Sequence, residues 1–587
     1  MNSKLRQVTL ETDFCIVGGG MAGLLAAISA ARHGAKVVLM QDRPVLGGNA
    51  SSEVRMWIRG AHGGLNRETG ILEEIELENL YRNPTLNFSV WDSILYEKAM
   101  QEENITLLMN CSCMDAQTEQ GKVVSVTGWQ LTTYTFYTVK AGLFADCSGD
   151  SILAPLTGAL YRVGREAADE FDESIEPVTA DKKTMGMSCL MQARQTDKKS
   201  EFIPPAWAYR YETDQDLPQR DHDMYHCGTN FWWIELGGED DSIHDTEKVK
   251  DELLKIAFGV WDHIKNRGDH GADNWELEWV GFLPGKRESR RYVGDYTLSQ
   301  KDVESGGKFA DIAAYGGWSM DDHNPAGFRH EGEPTIYHDA PSPYGIPYRC
   351  FYSKNIENLF FAGRNISVTH AALSSTRVMA TCAIIGQAVG TAAAICVQKN
   401  IMPRGVYEAE MELLQSRLLE DGCYLPGLRR QIPELTRKAA AENEKTAVLF
   451  DGMERPDVHG EHCITLKKGA CVEFALEEPA YVRELRLVFD LDFTRGRLFQ
   501  NEQLRKFAMK CNTPLDMEQA RLPETLVKAF SVEITDPYNR TEQLIAEDEN
   551  RRYLVTVPVE RTAAKVKVTL SDTWGCDEIR LYSCDLK

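Results

Sequence analysis

Four apolar residues in a row, Phe14 to Val17, stand near the start of the chain between polar neighbours. An unbroken run this short predicts a strand buried on both faces. Leu24 to Arg32 is alanine-rich and predicts a helix, and "AKVVLM" then returns to an unbroken apolar run, a second strand. Downstream, "GILEEIELENLYRN" and "SVWDSILYEKAMQEE" have the spacing of amphipathic helices, and "ITLLMN", "VVSVTGWQL" and "TFYTVKAGLFADCSG" read as strands of a small sheet. From about 155 to 350 the periodicity fades into loops. It returns at "IENLFFAGRN" as a strand, followed by the long helix "SSTRVMATCAIIGQAVGTAAAICVQKN", whose Ala383, Gly386, Gly390 and Ala394 share one stripe. A charged helical segment covers about 404 to 445. From Ala447 the period becomes two, with Leu485, Leu487 and Phe489 on one face and Val566, Val568 and Leu570 on another. Several such strands separated by turns predict an antiparallel sandwich.

Between the first strand and helix the chain reads "VGGGMAGLL", and Gly18, Gly20 and Gly23 fit G-x-G-x-x-G. The first glycine makes a tight turn, the second lets backbone approach a pyrophosphate, and the third allows close helix–strand packing. The N–H groups at the start of the new helix face the phosphates. Strand, glycine turn, helix and second strand together predict a dinucleotide site rather than an ordinary turn. The acid expected at the end of the second strand is replaced by Gln41, with Asp42 next to it. Either residue is a candidate for a ribose hydroxyl.

The length of 587 residues suits three to four domains. A net charge of −23 with no basic stripe argues against a nucleic-acid partner. The N-terminal "MNSKLRQVTLETDF" lacks the apolar centre of a signal peptide, and no apolar run is expected to approach membrane-spanning length. The fifteen cysteines include no C-x-x-C pair and no metal-like spacing, so thiols such as Cys382 and Cys396 are expected reduced and no metal is expected. A cytoplasmic protein follows from these points.

Four stretches together resemble the FAD-dependent oxidoreductases of the glutathione-reductase-like superfamily, in particular a bacterial family distantly related to fumarate reductase flavoproteins. They are "GGGMAGLLAAISAARHGAKVVLMQDRPVLGGNASSEVR", "AGLFADCSGDSILAPLTGA", "GKRESRRYVGDY" and "NLFFAGRNISVTHAALSSTRVMATCAIIGQAVGTAAA", spanning about 13 to 398. "VLFDGMERPD" and "DEIRLYSCDL" resemble a galactose-binding-like module. The resemblance implies an α/β architecture: a Rossmann-like FAD-binding domain in two parts, 1–154 and 355–402, with an inserted α+β substrate domain, 155–354. A helical linker, 403–446, and the β-sandwich, 447–587, complete it. It also implies that FAD meets Gly47, Gly48 and Asn49, then Asp146, Gly149 and Asp150, and then Gly363, Arg364 and Asn365. Arg364 stands where relatives carry an aspartate. Met379, Ala380 and Thr381, at the start of the long helix, would face the flavin edge, where a helix N-terminus stabilises negative charge.

For the chemistry, His370 in "ISVTHAALSS" is expected near the flavin as a base accepting a hydroxyl proton; the competing reading is a structural histidine. Arg290, with Glu288 and Arg291 in "GKRESRRYVGDY", is expected on the substrate side, the competing reading being a surface ion-pair cluster. His323, Arg377, Tyr344 and His62 are further candidates for substrate contact. Seven of the eleven tryptophans fall between Trp207 and Trp318 and suit either core or a sugar face. The expectation is oxidation of a hydroxyl-bearing carbon of a sugar or polyol-like small molecule by hydride transfer to flavin N5. Reduction of an unsaturated carboxylate, or carbohydrate binding by a protein with a structural FAD domain, are the alternatives. The electron acceptor is unspecified, and a homo-oligomer is compatible with the sequence.

Overall fold

The computed structural model describes residues 4–224, 230–439, 447–499, 504–505 and 509–587. The last part of the expected helical linker, 440–446, lies outside the described residues. The chain forms two compact units. The first comprises Met1–His62, Asn87–Leu418 and Met509–Met517, and the second Gly63–Leu86, Leu419–Ala508 and Glu518–Lys587.

In the first unit, β1 (Arg6–Val17), β2 (Val37–Met40) and β3 (Ile105–Leu108) lie parallel, and β1 also pairs parallel with β6 (Thr135–Asp146). β5 (Lys122–Gln130) and β4 (Cys111–Glu119) extend the sheet antiparallel beyond β6, giving the order β3-β2-β1-β6-β5-β4. The short strand Leu359–Phe361 pairs parallel with the end of β6. β1 begins earlier than the apolar run because its first half, with alternating exposure, is held by the ladder to β6 from Arg6 onward. The carboxyl ends of β1, β2 and β6 therefore open on one edge, with α1 (Met21–Arg32) leaving from β1. Open α/β sheets bind ligands at such an edge.

The long helix Met379–Lys399 packs on α1. Gly386 and Gly390 sit where a Cβ would collide with the backbone of Ala22 and Ala26, so the small-residue stripe is a helix contact. Ser29 Oγ and Thr391 Oγ1 meet across it at 2.8 Å, an internal partner for two buried hydroxyls. With 21 residues and a mean hydropathy of 1.8, this helix is long and apolar enough to cross a membrane by length and composition, contrary to the sequence expectation. Its apolar window is 94% buried. Every cysteine among the described residues is free of a disulfide.

The region from 155 to 354 is built of short strands and loops around helix Thr246–Asp262, with Trp233, Trp261, Trp275, Phe231 and Leu253 in its core. Part of the tryptophan density is thus core. Met509–Met517, expected in the C-terminal domain, belongs to this first unit: Asn512 Oδ1 accepts from Ala193 N at 2.9 Å, and Thr513 O accepts from Gln195 N at 2.8 Å.

The second unit contains an antiparallel β-sandwich whose strands run in the order Ile464–Lys467, Glu578–Leu586, Ala470–Phe489, Leu554–Thr573, Val527–Thr535, Thr541–Glu547. Leu485, Leu487 and Phe489 are buried as expected, as are Val566, Val568 and Leu570. Arg486 is buried as well, because Glu454 pairs with both Arg486 and Arg430. Helix Ile71–Arg82, expected in the nucleotide domain, lies in this unit, where Glu73 is fully buried between Arg67, at 2.7 Å, and Arg495. A helix whose acids meet internal arginines need not turn them to solvent, and its amphipathic pattern misread that face.

Candidate active site

A cavity of about 520 Å³ opens at the carboxyl edge of the parallel sheet, within the range of small-ligand sites. One end is lined by Gly18, Gly20, Gly47 and Gly48 with Asn49, Gln41 and Asp42. Gly18 has φ +102°, and a Cβ there would meet the carbonyl of Cys147 in the turn after β6. Backbone thus forms the floor where a side chain would fill it. Gly23 does not line the cavity; it packs beneath the Gly18 carbonyl. Gln41 Oε1 accepts from Gly19 N at 2.7 Å, and Nε2 donates to Val45 O at 2.9 Å. Its amide ties the glycine turn together, which leaves the half-exposed carboxylate of Asp42 as the better-placed ribose acceptor.

The turn after β6 divides its two acids. Asp146 is fully buried and accepts from Tyr292 Oη at 2.7 Å, Leu153 N at 2.8 Å and Ser148 N at 2.9 Å. Asn365 is also buried and directs its amide at Asp146. Neither lines the cavity, so both shape the turn rather than touch a ligand. Burial pushes the Asp146 carboxyl above its ordinary value. Asp150 does line the cavity, with Lys286 Nζ at 2.7 Å, Arg364 Nη2 at 2.8 Å and Ser289 Oγ at 2.8 Å. Burial alone would raise its carboxyl; Arg364 and Lys286 outweigh that and hold it below the usual range. Arg290 lies here too, Nη1 donating to Asp150 O at 3.4 Å and the guanidinium 5.5 Å from the Tyr161 ring. It lines the cavity beside this charge cluster. Gly149, Gly363 and Arg364 also line it, and the buried Arg364 Nε has no protein partner. Cations, bare glycine backbone and Asp42 are the groups an ADP-bearing cofactor requires.

The other end gathers a second set. His323 Nδ1 lies 2.6 Å from Glu235 Oε2, and its Nε2 lies 3.4 Å from Asp321 Oδ2. Arg377 Nη2 donates to Asp321 O at 3.0 Å and pairs with its carboxylate at 3.2 Å, while its buried Nε has no partner. Arg287 pairs with Glu235 at 3.3 Å. Arg59 lies over Trp57 at 4.1 Å and Trp318 at 5.2 Å, and burial lowers its guanidinium to about 10. Burial would raise the Asp321 carboxyl, but His323 and Arg377 bring it far below its ordinary value. Arg287 and His323 likewise outweigh burial at Glu235. His323, Arg59, Arg287, Arg377, Asp321, Trp57, Trp232, Trp318 and Met379 all line this cavity.

Several expected residues stand elsewhere. His370 is buried and does not line the cavity: Nδ1 meets Glu288 at 2.9 Å and Nε2 meets Asp322 at 3.3 Å. Burial alone would lower its pKa, but Glu288 and Asp322 hold it well above the ordinary value. Enclosed away from the cavity, this ring does not meet a substrate hydroxyl, so the structural reading of His370 holds. Arg291 is buried beneath it, Nη1 and Nη2 each 3.1 Å from Glu166. Tyr344 is buried with its hydroxyl 2.6 Å from Ser375 Oγ and does not line the cavity. His62 is exposed and stacks on Trp318 at 4.3 Å, supporting that ring rather than facing the cavity. Ala380 and Thr381 do not line it either. Ala380 N donates to Arg59 O at 2.8 Å, so the helix start fixes the backbone that carries Arg59.

The raised pKa of His370 has a sign that stability measurements can test. The stabilisation is complete below the unfolded value near 6.5 and is lost as pH rises through the folded value. His370→Gln breaks a buried charge pair and is expected to cost about 3–5 kcal/mol near neutral pH. That difference should shrink as denaturation midpoints are compared toward alkaline pH. A difference that does not change with pH would mean the ring is not held charged.

Sequence reasoning missed Arg59, Lys286, Arg287, Asp321 and Tyr337 at the cavity, and Glu235 behind His323. The signal for three of them was present in "GKRESRRYVGDY" and "MDDHNP", where the cationic and acidic residues were noticed and the wrong members weighted.

A family model described as FAD dependent oxidoreductase matches residues 13–418. No curated protein sequence matches the chain. Among solved structures, a geranylgeranyl bacteriochlorophyll reductase-like protein from Thermoplasma acidophilum is 12% identical, covering 71% of this chain and 84% of that one, with a TM-score of 0.33. E. coli quinol fumarate reductase FrdA is 14% identical, covering 75% and 77%, with a TM-score of 0.28. The family 32 carbohydrate-binding module of Streptococcus pneumoniae EndoD is 10% identical, covering 25% and 88%, with a TM-score of 0.18.

Proposed function

The chain belongs to the family of FAD-dependent oxidoreductases and takes FAD as its cofactor, and from that premise we propose that it oxidises a hydroxyl-bearing carbon of a small organic acid. The observation that carries this reading is the cluster of Arg59, Arg287, Arg377 and His323 at one end of the cavity. The buried Arg377 Nε has no hydrogen-bond acceptor in the protein, a donor left for a ligand. Such a cationic wall favours a substrate carboxylate, which guanidinium groups hold with directional hydrogen bonds. FAD, when bound, supplies the hydride-accepting chemistry. His323 is oriented by Glu235 and takes the hydroxyl proton at Nε2, the ring nitrogen on the Asp321 side. Trp57, Trp232 and Trp318 line the cavity, which supports sugar acids as members of the substrate class.

The same arginines support a second reading, reduction of an unsaturated carboxylate, in which His323 delivers rather than takes the proton. An anaerobic titration separates the two. Under the first reading, hydroxy acids or sugar acids bleach the flavin absorbance of the purified protein while neutral polyols of similar size do not. Arg59→Met is expected to raise the half-saturating acid concentration about 10- to 100-fold, the loss of a charged hydrogen bond. Reoxidation of the chemically reduced protein by enoates, with no bleaching by any hydroxy acid, would favour the reductase. Bleaching by neutral polyols alone would remove the role given to the arginines.

A further inference from the structure

Four side chains that take no part in the cavity converge elsewhere in the first unit. Asp214 starts the short 3-10 turn Asp214–Asp216, and His222 follows in the next loop. His263 opens the π-helical turn His263–Arg267 at the end of helix Thr246–Asp262, and His270 follows that turn. One ligand-type atom from each lies within 4.8 Å of all the others. The three imidazole centroids are 5.0 to 5.3 Å apart.

The hydrogen-bond pattern gives this convergence its meaning. His263 is fully buried, and its Nδ1 lies 3.1 Å from the carbonyl oxygen of Tyr211. A carbonyl only accepts, so Nδ1 carries a proton and Nε2 is the ring atom turned toward the other three residues. His263 Nε2 lies 2.9 Å from Asp214 Oδ1 and 3.1 Å from His270 Nε2, and His270 Nε2 is itself 3.3 Å from Asp214 Oδ1. His222 Nε2 is buried with no hydrogen-bond partner. Four ligand-type atoms gathered this closely suit a shared positive centre.

We propose that Asp214, His222, His263 and His270 bind one zinc-type divalent cation in a structural site separate from the FAD cavity. Zinc–nitrogen and zinc–oxygen bonds of about 2.0–2.2 Å imply tetrahedral edges of roughly 3.4 Å, close to the three shortest separations. Three imidazoles and one carboxylate suit zinc, cobalt or nickel over magnesium or calcium, which prefer oxygen. Four protein ligands leave no open position of the catalytic kind. The Tyr211 carbonyl is the outer-shell partner that orients a metal-bound imidazole. A Cβ at Gly268 would fall on His270 Nε2, so a larger residue there must displace that ring. The cation would tie the 214–222 segment to the end of the helix. His222 stands edge-on to Trp233 at 6.2 Å, and the adjacent Trp232 lines the FAD cavity and meets His323 at 5.2 Å. The spacing of the four residues follows no motif, which is why the sequence predicted no metal.

The test uses the full-length purified protein, stripped with a chelator and titrated with Co²⁺ alone. The expected result is saturation at one equivalent, with ligand-field bands beyond the flavin absorption and a higher thermal midpoint when Zn²⁺ replaces Co²⁺. His222→Ala is expected to weaken Co²⁺ binding by at least about tenfold. Gly268→Val, which alters no ligand, should weaken it as well. No stoichiometric uptake and no spectral change in the wild-type protein overturns the proposal, and so does undiminished one-equivalent binding by His222→Ala.

Discussion

Gly18→Val is expected to give a protein without bound FAD. The backbone at Gly18 is in the left-handed region, and any Cβ is directed at the Cys147 carbonyl. Conformational strain of this kind costs about 1–3 kcal/mol, which alone weakens binding by up to about a hundredfold. Valine must also displace the Cys147–Ser148 backbone, which forms part of the same cavity, so the combined loss is larger. The check is the ratio of flavin to protein absorbance after purification, followed by titration with added FAD. Circular dichroism distinguishes an empty cavity from an unfolded chain. Stoichiometric FAD in the purified variant would mean that the glycine turn does not form the cofactor floor.

His323→Gln is expected to retain FAD and lose most of its activity. Glutamine can still hydrogen-bond Glu235, but it cannot take a proton. Removing a general base costs about 10²- to 10⁴-fold, read as the anaerobic rate of flavin bleaching by the best acid in the panel. The half-saturating concentration should change far less, because Arg59, Arg287 and Arg377 remain. His370→Gln is the informative contrast, since its ring is enclosed by Glu288 and Asp322 and takes no part in the cavity. If the rate collapses in His370→Gln but not in His323→Gln, the proton assignment is reversed.

The nucleotide end was legible because backbone sterics write themselves into sequence. Gly18, Gly47 and Gly363 have positive φ, and the alternation of apolar runs around them has few foldings. The substrate end was not legible for a different reason. His323 and His370 both sit beside acids in loops, and only tertiary packing decides which ring faces a cavity and which is enclosed. In "GKRESRRYVGDY" the neighbouring cations part company: Lys286, Arg287 and Arg290 line the cavity, while Arg291 turns inward to Glu166. Helix Ile71–Arg82 was read correctly as a helix and assigned to the wrong unit. Its partner Arg495 comes from far along the chain, and no local pattern announces that pairing.

The nine residues Met509–Met517 impose an order on biosynthesis. The first strand of the FAD-binding unit is Arg6–Val17, yet the unit lacks the backbone partners of Ala193 and Gln195 until Thr513 has left the ribosome. Helix Ile71–Arg82, made early, likewise waits for Arg495 to neutralise Glu73. A nascent chain halted after residue 418 would hold most of the flavin pocket without either unit complete, a state in which cofactor capture and chaperone dependence become coupled.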